Sequence, residues 1–209
     1  MNYFVIALCM VIAYLLGSIN TSIILSSFQG KDIRKEGSGN AGATNTLRVM
    51  GKKAAIFVVI FDGLKGVLAV LAAHLVCRFM PVEVEEFYAN AAVYLSALGV
   101  MLGHIYPLYF GFKGGKGVMT TIAVILMLDW RIGLILLVGC VAIMLITKYV
   151  SLGSCIGAAL FPVFVAIFHK GDIVFLVVAI LIGALAIFKH RSNIKRLATG
   201  TESKLSFKK

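Results

Sequence analysis

Seven long apolar runs, separated by short polar segments, dominate this chain of 209 residues. A helix needs about 20 apolar residues to cross a bilayer, and it satisfies its own backbone hydrogen bonds there. The runs therefore predict an all-α, polytopic membrane helix bundle with about seven transmembrane helices, forming a single integral membrane domain over residues 1–209. They cover residues 3–27, 54–77, 89–110, 118–128, 132–147, 152–168 and 173–188.

The composition agrees with this class and excludes others. Hydrophobic residues make up 60% of the chain and charged residues 14%, which rules out a disordered chain and a free-standing soluble enzyme. The four cysteines occur singly, and no group of His, Cys and carboxylate residues has the spacing of metal ligands. We therefore expect no metal, no cofactor and no nucleic-acid partner.

The basic residues predict the orientation in the membrane. Lys and Arg accumulate in cytoplasmic loops, and most of the 20 in this chain lie in alternate loops and in the last segment. The other loops hold Arg78, Arg131 and Lys170 beside acidic residues. We expect the N-terminus outside and a basic tail, 189–209, in the cytoplasm. Since no Lys or Arg occurs before Lys31, the first run is expected to be a retained span and not a signal peptide.

The fourth run, 118–128, is short for a hydrocarbon core of about 30 Å. Either its helix continues back through the preceding glycine-rich segment, or the fourth and fifth runs form a re-entrant hairpin. Both alternatives leave an odd number of crossings, so the two termini stay on opposite sides of the membrane.

Two charged residues interrupt the second run. Asp62 and Lys65 lie three positions apart and so share a helix face. Each charge costs ~2.5 to 3.5 kcal/mol inside a bilayer on insertion scales. The pair is therefore expected to point into the bundle or a polar cavity, either as a structural ion pair or as part of a functional site.

A glycine-rich polar segment follows the first run. Glycines let backbone N–H groups approach an anion closely, and the hydroxyl, amide and guanidinium groups here add further donors. The segment matches G-x-G-x-x-G, but a dinucleotide site requires a preceding strand, and here an apolar helix precedes. We predict a phosphate cradle, the alternative being a flexible polar loop. Its candidate residues are Ser38, Gly39, Asn40, Gly42, Thr44, Asn45 and Arg48.

A second glycine-rich segment precedes the fourth run and contains two lysines. It departs from the Walker A pattern in its spacing and in having Gly117 after Lys116. Two lysines before a helix N-terminus still predict an anion pocket, the alternative being a basic loop that only sets topology. His104 is either a hydrogen-bonded bundle residue or a catalyst. The candidates are His104, Lys113, Gly114, Gly115, Lys116 and Gly117.

Two further segments on the predicted cytoplasmic side carry polar residues. Ser151 precedes the sixth run, and His190 and Asn193 open the tail. Ser151 could be a helix N-cap, and the tail could be a basic amphipathic helix on anionic lipid. Because all four segments carry phosphate-type donors, we predict one anion site that faces the cytoplasm.

In this order, the motifs resemble those of the PlsY family, bacterial membrane acyltransferases that transfer a fatty acyl chain from acyl-phosphate to glycerol 3-phosphate. The resemblance covers nearly the whole chain and departs at Asn20, where the family usually has proline. Besides the loops above, it includes Gly17-Ser18-Ile19, Asp62-x-x-Lys65-Gly66, Gly103-His104-x-x-Pro107, Ser151-Leu152-Gly153-Ser154 and Gly200-Thr201-Glu202.

The resemblance implies an enzyme that acylates the 1-hydroxyl of sn-glycerol 3-phosphate, releasing lysophosphatidic acid and inorganic phosphate without acyl-CoA. This is the first acylation step of bacterial phospholipid synthesis, at the cytoplasmic face of the inner membrane. Its partners are acyl-phosphate, glycerol 3-phosphate and membrane lipids; the oligomeric state is left open, a monomer being one expectation. The main rival hypothesis is an anion transporter.

The resemblance also implies residue roles. Ser38, the backbone of residues 39–42 and the glycines of the second loop would hold the acyl-phosphate. Arg48, Lys113, Ser151, His190 and Asn193 would bind glycerol 3-phosphate, with Lys116 in the same field. Lys113, Ser151 and His190 are the catalytic candidates, and the proton acceptor is either His190 or a phosphate oxygen of the substrate.

Overall fold

The computed structural model describes residues 2–80 and 84–205, and every regular element in these ranges is a helix. Met1 and the segments 81–83 and 206–209, which the predicted domain and tail include, lie outside the described residues. The elements are α1 (Asn2–Gly17), α2 (Thr21–Ser27), α3 (Ala43–Met50), α4 (Lys52–Phe79), α5 (Glu86–Ile105), α6 (Val118–Leu128), α7 (Trp130–Thr147), α8 (Val150–Phe168), α9 (Ile173–Lys189), α10 (Arg191–Ala198) and the 3-10 turns Ile33–Lys35 and Leu108–Phe110.

All seven apolar runs form helices, which confirms the predicted helical membrane bundle. Within the described residues five spans are long and apolar enough to cross a membrane, and a sixth follows if α9 and α10, bent by 58°, are counted together. Helix α6 is shorter, with 11 residues. The count of seven crossings and the orientation of the termini stay predictions.

Two of the local alternatives were wrong, and one segment contains a helix that was not predicted. Helix α6 begins at Val118, so it does not continue back through the glycine-rich segment; the positive φ of Gly117 (77°) ends the helical path there. Ser151 is not an N-cap, because α8 begins one residue earlier and Tyr149 occupies that position. The end of the first polar segment is helical, since α3 starts at Ala43.

The helices cluster into two compact units, Met1–Leu128 and Asp129–Lys209. In the first unit α1 packs along α5 through glycines. A Cβ at Gly99 would lie 2.7 Å from the Met10 carbonyl oxygen, and a Cβ at Gly103 would overlap the Tyr14 carbonyl. The two backbones are therefore in direct contact, as small residues allow in membrane helices.

In the second unit α8 packs against both α7 and α9. Glycines again allow the close approach, because a Cβ at Gly153 would lie 2.7 Å from the Cys140 carbonyl oxygen. Asp129 caps α7 and accepts hydrogen bonds from Arg131 and from His169, which follows α8. This polar cluster joins the ends of α7 and α8 that lie away from Ser151.

Candidate functional site

The first polar loop is closed by the side chain of Asn45, which is 1% exposed. Its Oδ1 accepts a 2.8 Å hydrogen bond from the Ser38 N–H, and its Nδ2 donates to the carbonyls of Ile33 and Glu36. Since a buried amide that uses both ends fixes the backbone around it, the loop is an ordered structure and not a flexible linker.

Gly37 and Gly39 are required by this loop for two separate reasons. Their φ angles, 57° and 71°, lie in the left-handed region, which favours glycine. A Cβ at Gly37 would also overlap Oδ1 of Asn45. The glycines thus allow the turn that brings the Ser38 N–H to Asn45.

The loop leads directly into the N-terminus of α3. The first N–H groups of a helix have no intrahelical acceptor and carry partial positive charge. In α3 these belong to Ala43 and Thr44. Arg48 lies one turn further along the same helix and is exposed. This arrangement is suited to an anion at the start of α3.

The second loop folds back on the end of α5. The N–H groups of Gly114 and Gly115 donate to the carbonyls of Ile105 and His104. A Cβ at Gly115 would overlap both the Ala41 carbonyl and Nε2 of His104. Glycine at this position therefore lets the second loop touch the first loop on one side and the His104 ring on the other.

Lys113 is presented by an unusual turn. Gly111 and Phe112 both adopt left-handed backbone conformations, with φ angles of 65° and 59°. For a residue with a side chain this costs roughly 1 to 2 kcal/mol, so contacts elsewhere must hold the turn. Lys113 follows immediately and is exposed, whereas Lys116, just before α6, is half-buried.

Arg34 joins the two loops. Its guanidinium donates to the Phe110 carbonyl at 2.8 Å and to the Lys113 carbonyl at 3.4 Å. Asp32 holds the same guanidinium through two hydrogen bonds of 2.9 and 3.0 Å. The hydrogen bond from Arg34 and its charge hold the pKa of the Asp32 carboxyl below its usual range.

A buried ion pair lies beneath these loops. Asp62 and Lys65 are 3.3 Å apart and almost fully buried, which confirms that they point into the bundle. Lys65 Nζ donates to the carbonyls of Gly17 and Ile19, at the break between α1 and α2. Asp62 accepts from Thr21, and its Oδ2 lies 3.9 Å from Nδ1 of His104. The pair therefore satisfies the broken backbone of the first span.

In the second unit Glu202 gathers two of the predicted site residues. Its Oε1 accepts hydrogen bonds from the Ser151 hydroxyl at 2.7 Å and from the Asn193 amide at 2.6 Å. Its Oε2 accepts from Arg196 at 2.7 Å. Burial acts to raise the pKa of Glu202, but the hydrogen bonds from these three residues outweigh it and hold the pKa below its usual value.

His190 lies at the bend between α9 and α10 and is 3% exposed. Its Nδ1 is 2.8 Å from the Ala186 carbonyl oxygen. A carbonyl oxygen only accepts, so Nδ1 carries the proton and Nε2 is the basic nitrogen of the neutral ring. The segment 191–198 is a short helix with exposed Arg191 and Lys195, and its contact with anionic lipid stays a prediction.

The structure places the predicted residues in two groups. The first unit brings together the two glycine-rich loops with His104 beneath them, and the second brings Ser151 and Asn193 together through Glu202. Sequence reasoning missed the contacts of Arg34 and Glu202. The Gly200-Thr201-Glu202 motif was the only local signal for the latter, and the close spacing of Asp32 and Arg34 could have indicated the former.

Fold and loops together define a multi-pass membrane protein whose glycine-rich loops lead into helix N-termini beside basic side chains. The family model described as glycerol-3-phosphate acyltransferase matches residues 7–200. The chain belongs to this family, which confirms the resemblance drawn from the motifs.

Relatives and solved structures agree over almost the whole chain. Glycerol-3-phosphate acyltransferases from Thermoanaerobacter pseudethanolicus and Clostridioides difficile are 44% and 42% identical, covering 95% and 100% of this chain and 94% and 98% of theirs. Crystal structures of PlsY, an integral membrane glycerol 3-phosphate acyltransferase, match in two forms. The glycerol 3-phosphate form has a TM-score of 0.85 at 36% identity, covering 96% of both chains. The lysophosphatidic acid form has 0.82 at 35%, covering 97% of this chain and 96% of the other.

Proposed function

We propose that this chain transfers a fatty acyl group from an acyl-phosphate to the 1-hydroxyl of sn-glycerol 3-phosphate, giving lysophosphatidic acid and inorganic phosphate. The observation that carries the proposal is the meeting of two glycine-rich basic loops at Ala41 and Gly115 in a member of the glycerol-3-phosphate acyltransferase family. Solved relatives in glycerol 3-phosphate and lysophosphatidic acid forms support the acceptor and the product. We assign the reaction to the cytoplasmic face of the bacterial inner membrane, because the basic residues concentrate in the loops that carry the glycine-rich segments.

The proposed chemistry needs no covalent enzyme intermediate. An acyl-phosphate is a mixed anhydride with phosphate as its leaving group. The 1-hydroxyl oxygen attacks the acyl carbon, a new C–O ester bond forms, the bond to the phosphate oxygen breaks, and the hydroxyl proton passes to a base. Both substrates are anions, so the protein must offset their repulsion and align them.

In the first unit the anions would be held by backbone and side-chain donors together. The N–H groups at the starts of α3 and α6 supply partial positive charge without moving during the reaction. Lys113, Lys116 and Arg48 add full charges, and Ser38 adds a hydroxyl. His104 is 3% exposed beneath Gly115, a location that supports a role in shaping the second loop.

In the second unit Glu202 fixes the rotamers of Ser151 and Asn193. Because the Ser151 hydroxyl donates its hydrogen to Glu202, its oxygen is left to accept a hydrogen bond from a glycerol hydroxyl. We assign Ser151 and Asn193 to glycerol 3-phosphate. His190, with Nε2 as its basic nitrogen, is one candidate for the proton acceptor, and a phosphate oxygen of the substrate is the other.

The test uses purified protein in lipid, with palmitoyl-phosphate and radiolabelled glycerol 3-phosphate. Labelled lysophosphatidate is expected from the acyl-phosphate and not from palmitoyl-CoA. Lys113→Ala should abolish product, and Lys53→Ala, which removes an exposed cation at the start of α4, should not. Folded protein that forms no product with either donor would refute the proposal and turn attention to anion uptake in proteoliposomes.

A further inference from the structure

Two charged residues make strong contacts that the proposed chemistry does not use. Asp32 and Arg34 lie beside the first loop, at the 3-10 turn Ile33–Lys35. Asp32 engages the guanidinium through both carboxylate oxygens and also accepts from the Arg34 N–H at 3.0 Å. A carboxylate that binds both the backbone and the fork of one arginine fixes where that side chain points.

The base of this arginine is anchored in the core. Ile33 between the two charged residues is fully buried, its carbonyl accepts from Asn45, and its N–H donates to the Ser26 hydroxyl. The Arg34 side chain starts from this constrained backbone and is held by the Asp32 carboxylate, so it acts as a rigid arm.

The arm ends on the turn that precedes Lys113. The two carbonyls that Arg34 binds belong to Phe110 and Lys113, on either side of the left-handed pair Gly111 and Phe112. The guanidinium therefore bridges this turn, in which the left-handed backbone of Phe112 is unfavourable.

We propose that Arg34, oriented by Asp32, is a positioning residue that holds the 110–113 turn and so presents Lys113 to its anionic substrate. This inference rests on the proposed function. Arginine is required because its planar fork reaches both carbonyls and the carboxylate at once, whereas a lysine ammonium has no such fixed geometry.

The first test measures the turn without any substrate. Hydrogen exchange of peptides covering 108–117 is compared in lipid nanodiscs for the wild type, Arg34→Ala and Arg34→Lys. Because charge-assisted hydrogen bonds are lost, exchange in these peptides is expected to rise roughly tenfold in both variants. Lys35→Ala removes one positive charge from the same 3-10 turn and should leave exchange unchanged. Unchanged exchange in Arg34→Lys would overturn the proposal. This variant alone decides the test if Arg34→Ala does not fold.

The second test separates positioning from a merely structural role. With the acyl-phosphate saturating, the KM for glycerol 3-phosphate is expected to rise roughly tenfold in Arg34→Lys and in Asp32→Asn, with kcat changed much less. Lys35→Ala, which alters another basic residue of the same 3-10 turn, is again the control and should leave the KM unchanged. Faster exchange with an unchanged KM in Arg34→Lys would show that Arg34 holds the turn without positioning Lys113. That result would refute the proposal. If the wild type makes no lysophosphatidate, the proposed function fails, and the exchange result still decides whether Arg34 holds the turn.

Discussion

The Ser151 hydroxyl donates a 2.7 Å hydrogen bond to Glu202, a residue 51 positions further along the chain. This contact ties the segment after α10 to the first turn of α8. Arg196 and Asn193 bind the same carboxylate, so one residue orders a whole group of donors.

Stability at acid pH should depend on Glu202. Its pKa is lowered in the folded protein, so its stabilising contribution is present above the unfolded pKa, about 4.3, and is lost as the pH falls through the folded value. Glu202→Gln should therefore lower the apparent Tm by a few degrees at pH 7, and the difference should shrink below about pH 4. Thermal unfolding in detergent from pH 7 to pH 3 measures this, and a constant difference would contradict it.

Replacing only Lys65 of the buried Asp62–Lys65 pair should lower thermal stability more than replacing both residues. Lys65→Met leaves Asp62 as an unpaired buried charge, which typically costs about 3 to 5 kcal/mol. The double variant Asp62→Asn, Lys65→Met removes that charge and should recover part of the lost thermal stability. In detergent, the wild type is expected to have the highest Tm, the double variant an intermediate Tm and Lys65→Met the lowest. A double variant less stable than Lys65→Met would show that the Asp62 charge is not the main cost.

A single methyl group at Gly115 should damage the junction of the two loops. Its Cβ would overlap the Ala41 carbonyl and the His104 ring, and overpacking of this kind costs typically about 1 to 3 kcal/mol. Gly115→Ala should reduce kcat/KM by roughly 10- to 100-fold, measured as lysophosphatidate formation. Gly63→Ala is the matched control, because its Cβ would meet only Ala123, at 3.9 Å. Equal activity of the two variants would disprove the close contact.

Relaxing the backbone of Phe112 should make Arg34 less necessary. Glycine adopts the left-handed conformation without the cost borne by phenylalanine. In the Phe112→Gly background, Arg34→Lys should therefore raise the KM for glycerol 3-phosphate less than it does in the wild type. A double-mutant cycle of the wild type, the two single variants and the double variant gives the coupling energy between Phe112 and Arg34. Independent effects of the two substitutions would count against strain at this turn.

His190→Ala distinguishes the two candidate proton acceptors. If the imidazole accepts the proton, kcat should fall by about 10² to 10⁴ at saturating substrates. If a substrate phosphate accepts it, mainly the KM should rise. Initial rates across pH 5.5–8.5 supply the second readout, because a histidine base gives kcat an acid limb that the variant lacks.

The helices could be predicted from the sequence because apolar runs of sufficient length have few other structures in a membrane. The break between α1 and α2 could not. Its carbonyls are satisfied by Lys65, a residue more than 40 positions away, and no local pattern encodes such a contact. Lys65 itself was conspicuous as a charge in an apolar run, but its partners beyond Asp62 were not.

The glycine-rich loops could be located from the sequence by their composition, and that they bind anions stays a prediction. The contacts that order them could not be predicted. From the sequence Asn45 is predicted to be a polar donor to the ligand. In the structure its amide instead forms hydrogen bonds with the backbone of the loop. In the sequence Arg34 is one more basic residue on the predicted cytoplasmic side, and its contacts with Asp32, Phe110 and Lys113 distinguish it from Lys35.

The glycine contact between α1 and α5 limits where a lipid tail can go. Because Gly17, Gly99 and Gly103 bring one backbone against the other, hydrocarbon cannot enter between residues 10–18 and residues 99–103. Under the proposed function, an acyl chain bound at the loops would leave the first unit by another side. Substitutions that change chain-length preference should therefore be sought away from α1 and α5, on surfaces where side chains and not backbones form the boundary.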